Sequence, residues 1–95
     1  MSQEAIVGTP SDPAWPRGCT ATLITYNVLP GRGLHPVLGA YRSEAEARAA
    51  AERDCGTKLT WSEHVGGRGQ REHVSDSVVR TGREVFYAIW DWSDR

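Results

Sequence analysis

No apolar run in this 95-residue sequence approaches the roughly 18 residues that a membrane-spanning helix requires. Nor does an apolar segment follow Met1-Ser2-Gln3-Glu4, which carries an acid where a secretory leader would carry basic residues, so the expected location is the cytoplasm. Cysteine is scarce. Cys19 and Cys55 stand alone, outside any C-x-x-C or metal-ligand spacing, and in that compartment reduced thiols are expected rather than a disulfide framework. An excess of one charge is also missing: 11 basic and 12 acidic side chains leave a net charge of −1, which excludes a global attraction to nucleic acid or anionic lipid. Any such contact needs a local patch. Lysine is nearly absent, Lys58 being the only one, and the bias toward Arg, Ala and Gly reads as GC-rich coding of the actinobacterial or phage kind, not as function.

What is present fits one small globular domain. A chain of this length buries only about 60–65% of its unfolded surface, enough for one modest core. Residues 1–18 contain Pro10, Pro13 and Pro16 with Gly8 and Gly18 and no apolar period, which predicts an irregular arm anchored by Trp15, ahead of a single domain over 19–95. Cys19 to Leu29 is rich in β-branched and aromatic residues and predicts a strand, ended by Pro30-Gly31-Arg32-Gly33. A second short strand is expected over Pro36 to Tyr41. Ser43 with Glu46 three residues later is a capping-box pattern, and the Ala-dense stretch Glu44 to Cys55 before Gly56 predicts a helix whose Ala47, Ala50, Ala51 and Cys55 share a face. Three further strands follow, about Thr57–Val65, Glu72–Arg80 and Arg83–Trp92. The expected fold class is α+β, a single helix packed on one face of a mostly antiparallel sheet in the order β-β-α-β-β-β.

A two-residue turn at Thr81-Gly82 fixes an expected register: Arg80 opposite Arg83, then Val78:Val85, Ser77:Phe86, Asp76:Tyr87, Ser75:Ala88, Val74:Ile89, His73:Trp90 and Arg71:Trp92. Setting His64 opposite His73 extends it to the preceding strand. One layer then holds Leu59, Trp61, Val65, Val74, Val78, Val85, Tyr87 and Ile89, the core side where the helix packs. The other holds Lys58, Thr60, Ser62, His64, His73, Ser75 and Ser77 beside Phe86, Ala88, Trp90 and Trp92. A slip of one residue exchanges the layers of a strand.

Phe86, Trp90 and Trp92 at alternate positions form a stacking surface suited to a partner's apolar side chains, and with Trp15, Arg71 and His73 they make up the expected partner-binding set. The competing reading is a second minicore covered by the arm or by another copy of the chain. For single-stranded nucleic acid the corresponding set is Arg68 and Arg71 of the arginine-glycine stretch Gly66-Gly67-Arg68-Gly69-Gln70-Arg71 with Trp90 and Trp92. That stretch is no phosphate-binding loop, since neither a strand-loop-helix context nor a closing Lys-Ser or Lys-Thr accompanies it. His64 and His73, in the repeated tripeptide Glu-His-Val, are the candidate metal ligands, but neighbouring acids alternate to the other face and four ligands are wanted, so no metal and no cofactor is expected. Cys55 falls at a helix C-terminus, the wrong end to stabilise a thiolate, and no nucleophile-elbow context surrounds any Ser, which leaves no catalytic residue to name.

Val37-Leu38-Gly39-Ala40-Tyr41-Arg42-Ser43-Glu44-Ala45-Glu46-Ala47 resembles the strand-to-helix segment of SPOR peptidoglycan-binding domains. The chain departs from that family in lacking a second helix between its later strands, and no function is carried over from the resemblance. The expected function is a small non-enzymatic protein-binding module, adaptor or regulatory, with a protein partner or a second copy of itself. The alternatives are a single-stranded nucleic-acid-binding domain and a small enzyme of unknown reaction.

Overall fold

The computed structural model describes residues 9–27, 37–67, 69–80 and 82–93. The first eight residues, the turn at Pro30-Gly31-Arg32-Gly33, Arg68 and Thr81 lie outside them. The elements are β1 (Ala21–Asn27), β2 (Val37–Tyr41), α1 (Glu44–Cys55), β3 (Trp61–Val65), β4 (Arg71–Ser75), β5 (Val78–Arg80) and β6 (Arg83–Asp91). All pairings are antiparallel, in the order β2-β1-β6-β4-β3, with β5 also pairing β6. This is the expected α+β architecture, with the fourth expected strand delivered in two pieces as β4 and β5. No helix among the described residues is long and apolar enough to cross a membrane.

The helix forms where its caps and composition place it. Ser43, in extended conformation, accepts the Glu46 N–H on its Oγ at 3.1 Å. At the other end Gly56 takes φ 79°, and its N–H closes on the Glu52 carbonyl at 2.9 Å. A residue with a Cβ would strain that left-handed position. Between the caps, Ala47, Ala50 and Ala51 are buried against Ala21, Leu23, Tyr87 and Ile89, with Leu59, Tyr41, Cys55, Trp61 and Val78 completing the cluster. Methyl-sized side chains let the helix approach closely, so the large contributions come from the sheet. Each buried Leu, Ile or aromatic there is worth about 1.5–3 kcal/mol over an exposed one. Tyr87 is wholly buried, and its phenol donates to Asp54 in the last turn of the helix at 2.5 Å.

The register between β6 and its neighbour departs from expectation at one place. Val78 faces Val85 and Arg80 faces Arg83, as the tight turn requires. Farther on, however, Val74 faces Ala88, His73 faces Ile89, Glu72 faces Trp90 and Arg71 faces Asp91. Between Val74 and Val78 the chain has three residues, 75–77, where β6 has two, 86 and 87. The extra residue is a β-bulge. Its stereochemistry is explicit: Ser75 Oγ accepts the Tyr87 N–H at 2.8 Å and donates to the Asp76 carbonyl. Asp76 turns instead to β3, donating its N–H to the Thr60 carbonyl at 2.9 Å and accepting the Thr60 N–H on Oδ1 at 3.0 Å. Ser77 Oγ donates to Glu84.

The bulge exchanges the layers of β4. Val74, expected on the helix side, lies on the other face with Ala88. His73 and Ser75, expected beside the aromatics, lie on the helix side. The β3 register shifts with it: Glu63 faces His73 and His64 faces Glu72, not His64 opposite His73. Trp61 and Val65 therefore keep their expected side while their β4 neighbours change, but only Trp61 packs on the core; Val65, expected there, is exposed at the sheet edge.

Candidate functional site

With α1 on one face, the opposite face of the sheet is set by alternation along β1, β6, β4 and β3. Thr22 faces Trp90, Ile24 faces Ala88 and Tyr26 faces Phe86 across β1 and β6, while β4 adds Glu72 and Val74 and β3 adds Ser62 and His64. Thr22, Ile24 and Ala88 form a fully buried floor. Over that floor lie the aromatics. Tyr26 and Phe86 are stacked, with ring centroids 4.9 Å apart and planes 14° from parallel. Trp90 and Trp92 meet edge to face at 6.0 Å and 81°. Both geometries are ones the ring quadrupole favours.

The polar tips of this layer are paired within it. Trp92 Nε1 donates to Thr22 Oγ1 at 2.9 Å, and Trp90 Nε1 donates to Glu72 Oε2 at 2.9 Å. The Tyr26 phenol lies against both Glu72 and Trp90; burial, and next the Glu72 charge, push its pKa above the ordinary tyrosine value. Exposure separates the two tryptophans. Trp92 retains 6% of its surface, whereas Tyr26, Phe86, Trp90 and Glu72 are half-buried and keep part of their surface exposed. The only helix among the described residues packs on the other side.

The residues expected to act together are thus divided between the faces. Phe86 and Trp90 sit on the aromatic face, and Trp92 is part of its foundation. His73 does not join them; it is buried on the helix side, its Nδ1 3.4 Å from the Arg48 guanidinium. Burial first and Arg48 second hold its pKa below the ordinary histidine value, against the opposite pull of Glu63 and Asp91. Arg48 also pairs with Glu44 and lies 5.6 Å above the Trp61 ring. Arg71 is on that side as well, 3.7 Å from the Glu63 carboxylate. His64 is exposed at the margin of the aromatic face, within 3.0 Å of Ser62 Oγ. With His64 and His73 on opposite faces, the premise of a two-histidine metal site is removed. Trp15 is half-buried, its Nε1 donating to the Cys19 carbonyl at 2.9 Å. Arg68 lies outside the described residues.

Sequence reasoning did not single out Tyr26 or Thr22, and weighed Glu72 only as one of the acids near the histidines. The alternation Thr22-Ile24-Tyr26 is visible in β1, but its meaning depends on β1 pairing with β6, some 60 residues on. Glu72 is assigned to the wrong layer unless the bulge is known. No protein-family model matches the chain, and neither a curated protein nor a solved structure matches it.

Proposed function

We propose that this chain is a small non-enzymatic protein-binding module whose contact surface is the sheet face opposite α1. The supporting observation is the half-buried group Tyr26, Phe86 and Trp90, ordered by stacking and by the Trp90–Glu72 hydrogen bond, on the face that the helix leaves alone. Rigid aromatics that lose little entropy on contact are the residues that dominate protein interfaces.

Binding of single-stranded nucleic acid has weaker support. Stacking bases on Trp90 requires cations beside it for the phosphates, and Arg71 belongs to the opposite layer, next to Glu63. Beside Trp90 stands instead the Glu72 carboxylate, which would repel phosphate.

The test is selection of random 12-residue peptides on the wild-type chain, followed by titration of the selected peptides against wild type and Trp90→Ala. Binding is expected to weaken at least tenfold in Trp90→Ala, with a folded, cooperatively melting variant. Peptides indifferent to Trp90 contradict the reading, and salt-sensitive micromolar binding of an oligo-dT strand replaces it with the nucleic-acid one.

A further inference from the structure

The aromatic face has a charge of its own. Strand positions on that face carry two carboxylates, Glu72 on β4 and Glu84 on β6, whereas Arg71 and Arg83 occupy positions of the helix-side layer. Glu72 is half-buried, and its partners among the described residues are neutral: the Trp90 indole and the Tyr26 phenol. Within the described residues no cation is among the hydrogen-bond donors that hold the Glu72 carboxylate, and it lies beside the Trp90 and Tyr26 rings. The faces of Trp90, Tyr26 and Phe86 carry the negative end of the aromatic quadrupole, which attracts ammonium and guanidinium groups. Aromatic faces and carboxylate therefore favour the same ligand.

We propose that the partner segment bound on this face is basic, placing a Lys or Arg side chain against Trp90 and Glu72. The inference rests on the protein-binding reading above and adds the chemistry of the partner. Glu72 lies beside Trp90, and Glu84 lies six residues back along β6, a separation of about 20 Å at strand rise. An extended segment laid along β6 would match it with two basic residues about six positions apart. The second contact is the lesser one, because Glu84 is exposed and already accepts from Ser77.

The experiment reads the composition of the Trp90-dependent peptides and their affinity for Glu72→Gln. Glutamine keeps an acceptor for the indole while removing the charge; a thermal melt checks the fold, and Glu84→Gln serves as a second charge-removing variant. Enrichment of Lys and Arg is expected. Affinity should fall about tenfold in Glu72→Gln, less in Glu84→Gln, and fall again when salt is raised from about 50 to 300 mM, as for a charge-assisted contact. Peptides that need Trp90 but are not basic and bind both variants at wild-type strength overturn the basic partner and leave the protein-binding face standing. Failure to find any Trp90-dependent peptide overturns both.

Discussion

The helix-side face of the sheet is closed by a second element, whereas among the described residues the opposite face is covered by its own side chains lying over Thr22, Ile24 and Ala88. On the helix side the chain uses Ala47, Ala50 and Ala51 to bring α1 against Leu23, Tyr87 and Ile89, leaving Val65 exposed at the β3 edge. On the other side Thr22, Ile24 and Ala88 are equally buried, but the layer above them is a single tier of Tyr26, Phe86, Trp90 and Trp92. A helix makes a face inert. An aromatic tier buries the floor and still leaves part of the Tyr26, Phe86 and Trp90 rings exposed, the surface on which the proposed binding rests.

This contrast is broken most severely by charging the closed side. Ala51 has no exposure and lies in the apolar cluster, so Ala51→Glu is expected to cost about 3–5 kcal/mol and abolish cooperative thermal unfolding. On the aromatic side the two tryptophans should separate. Trp92→Ala removes a buried ring and its bond to Thr22 and should cost about 3–4 kcal/mol in denaturant titration, with Trp90→Ala costing clearly less. Equal costs would mean that the face is ordinary core throughout.

A smaller effect is expected at the bulge that sorts residues between the faces. Ser75→Ala leaves the buried Tyr87 N–H without its acceptor, a loss of about 1–3 kcal/mol by chemical denaturation. The smallest concerns pH. Because the folded-state pKa of His73 lies below its ordinary value of about 6.5, the unfolded chain takes up that proton first, and stability declines as pH falls below about 6.5. His73→Gln should melt with a shallower loss between pH 7.5 and 5.5 than wild type. An unchanged slope would place His73 away from Arg48, outside the closed face.

The helix was legible because its signals are local: the Ser43 cap, the Ala face and the Gly56 stop need no knowledge of the rest of the chain. The strands were legible for the same reason, through β-branched runs and Gly-rich reversals. Membership of a face was not, because it is counted outward from a turn and a single inserted residue reverses it. Counting back from Arg80:Arg83 holds for Val78:Val85 and fails beyond it, where Ser75-Asp76-Ser77 leaves the ladder to β6. Three short polar residues interrupting an expected strand were the visible sign, since each can bond to backbone in place of the ladder. Phe86, Trp90 and Trp92 kept their predicted side because β6 itself is uninterrupted; His73 and Arg71 lost theirs because they lie past the bulge.

The assignment of Glu72 and not His73 to the aromatic face is tested most directly by nuclear Overhauser contacts from the Trp90 indole Nε1–H. Contacts to the Glu72 side chain and the Tyr26 ring, with His73 contacts confined to Arg48 and the helix side, are the expected result. Contacts from the Trp90 indole to the His73 imidazole would contradict it, returning Glu72 to the helix side and removing the acidic aromatic surface.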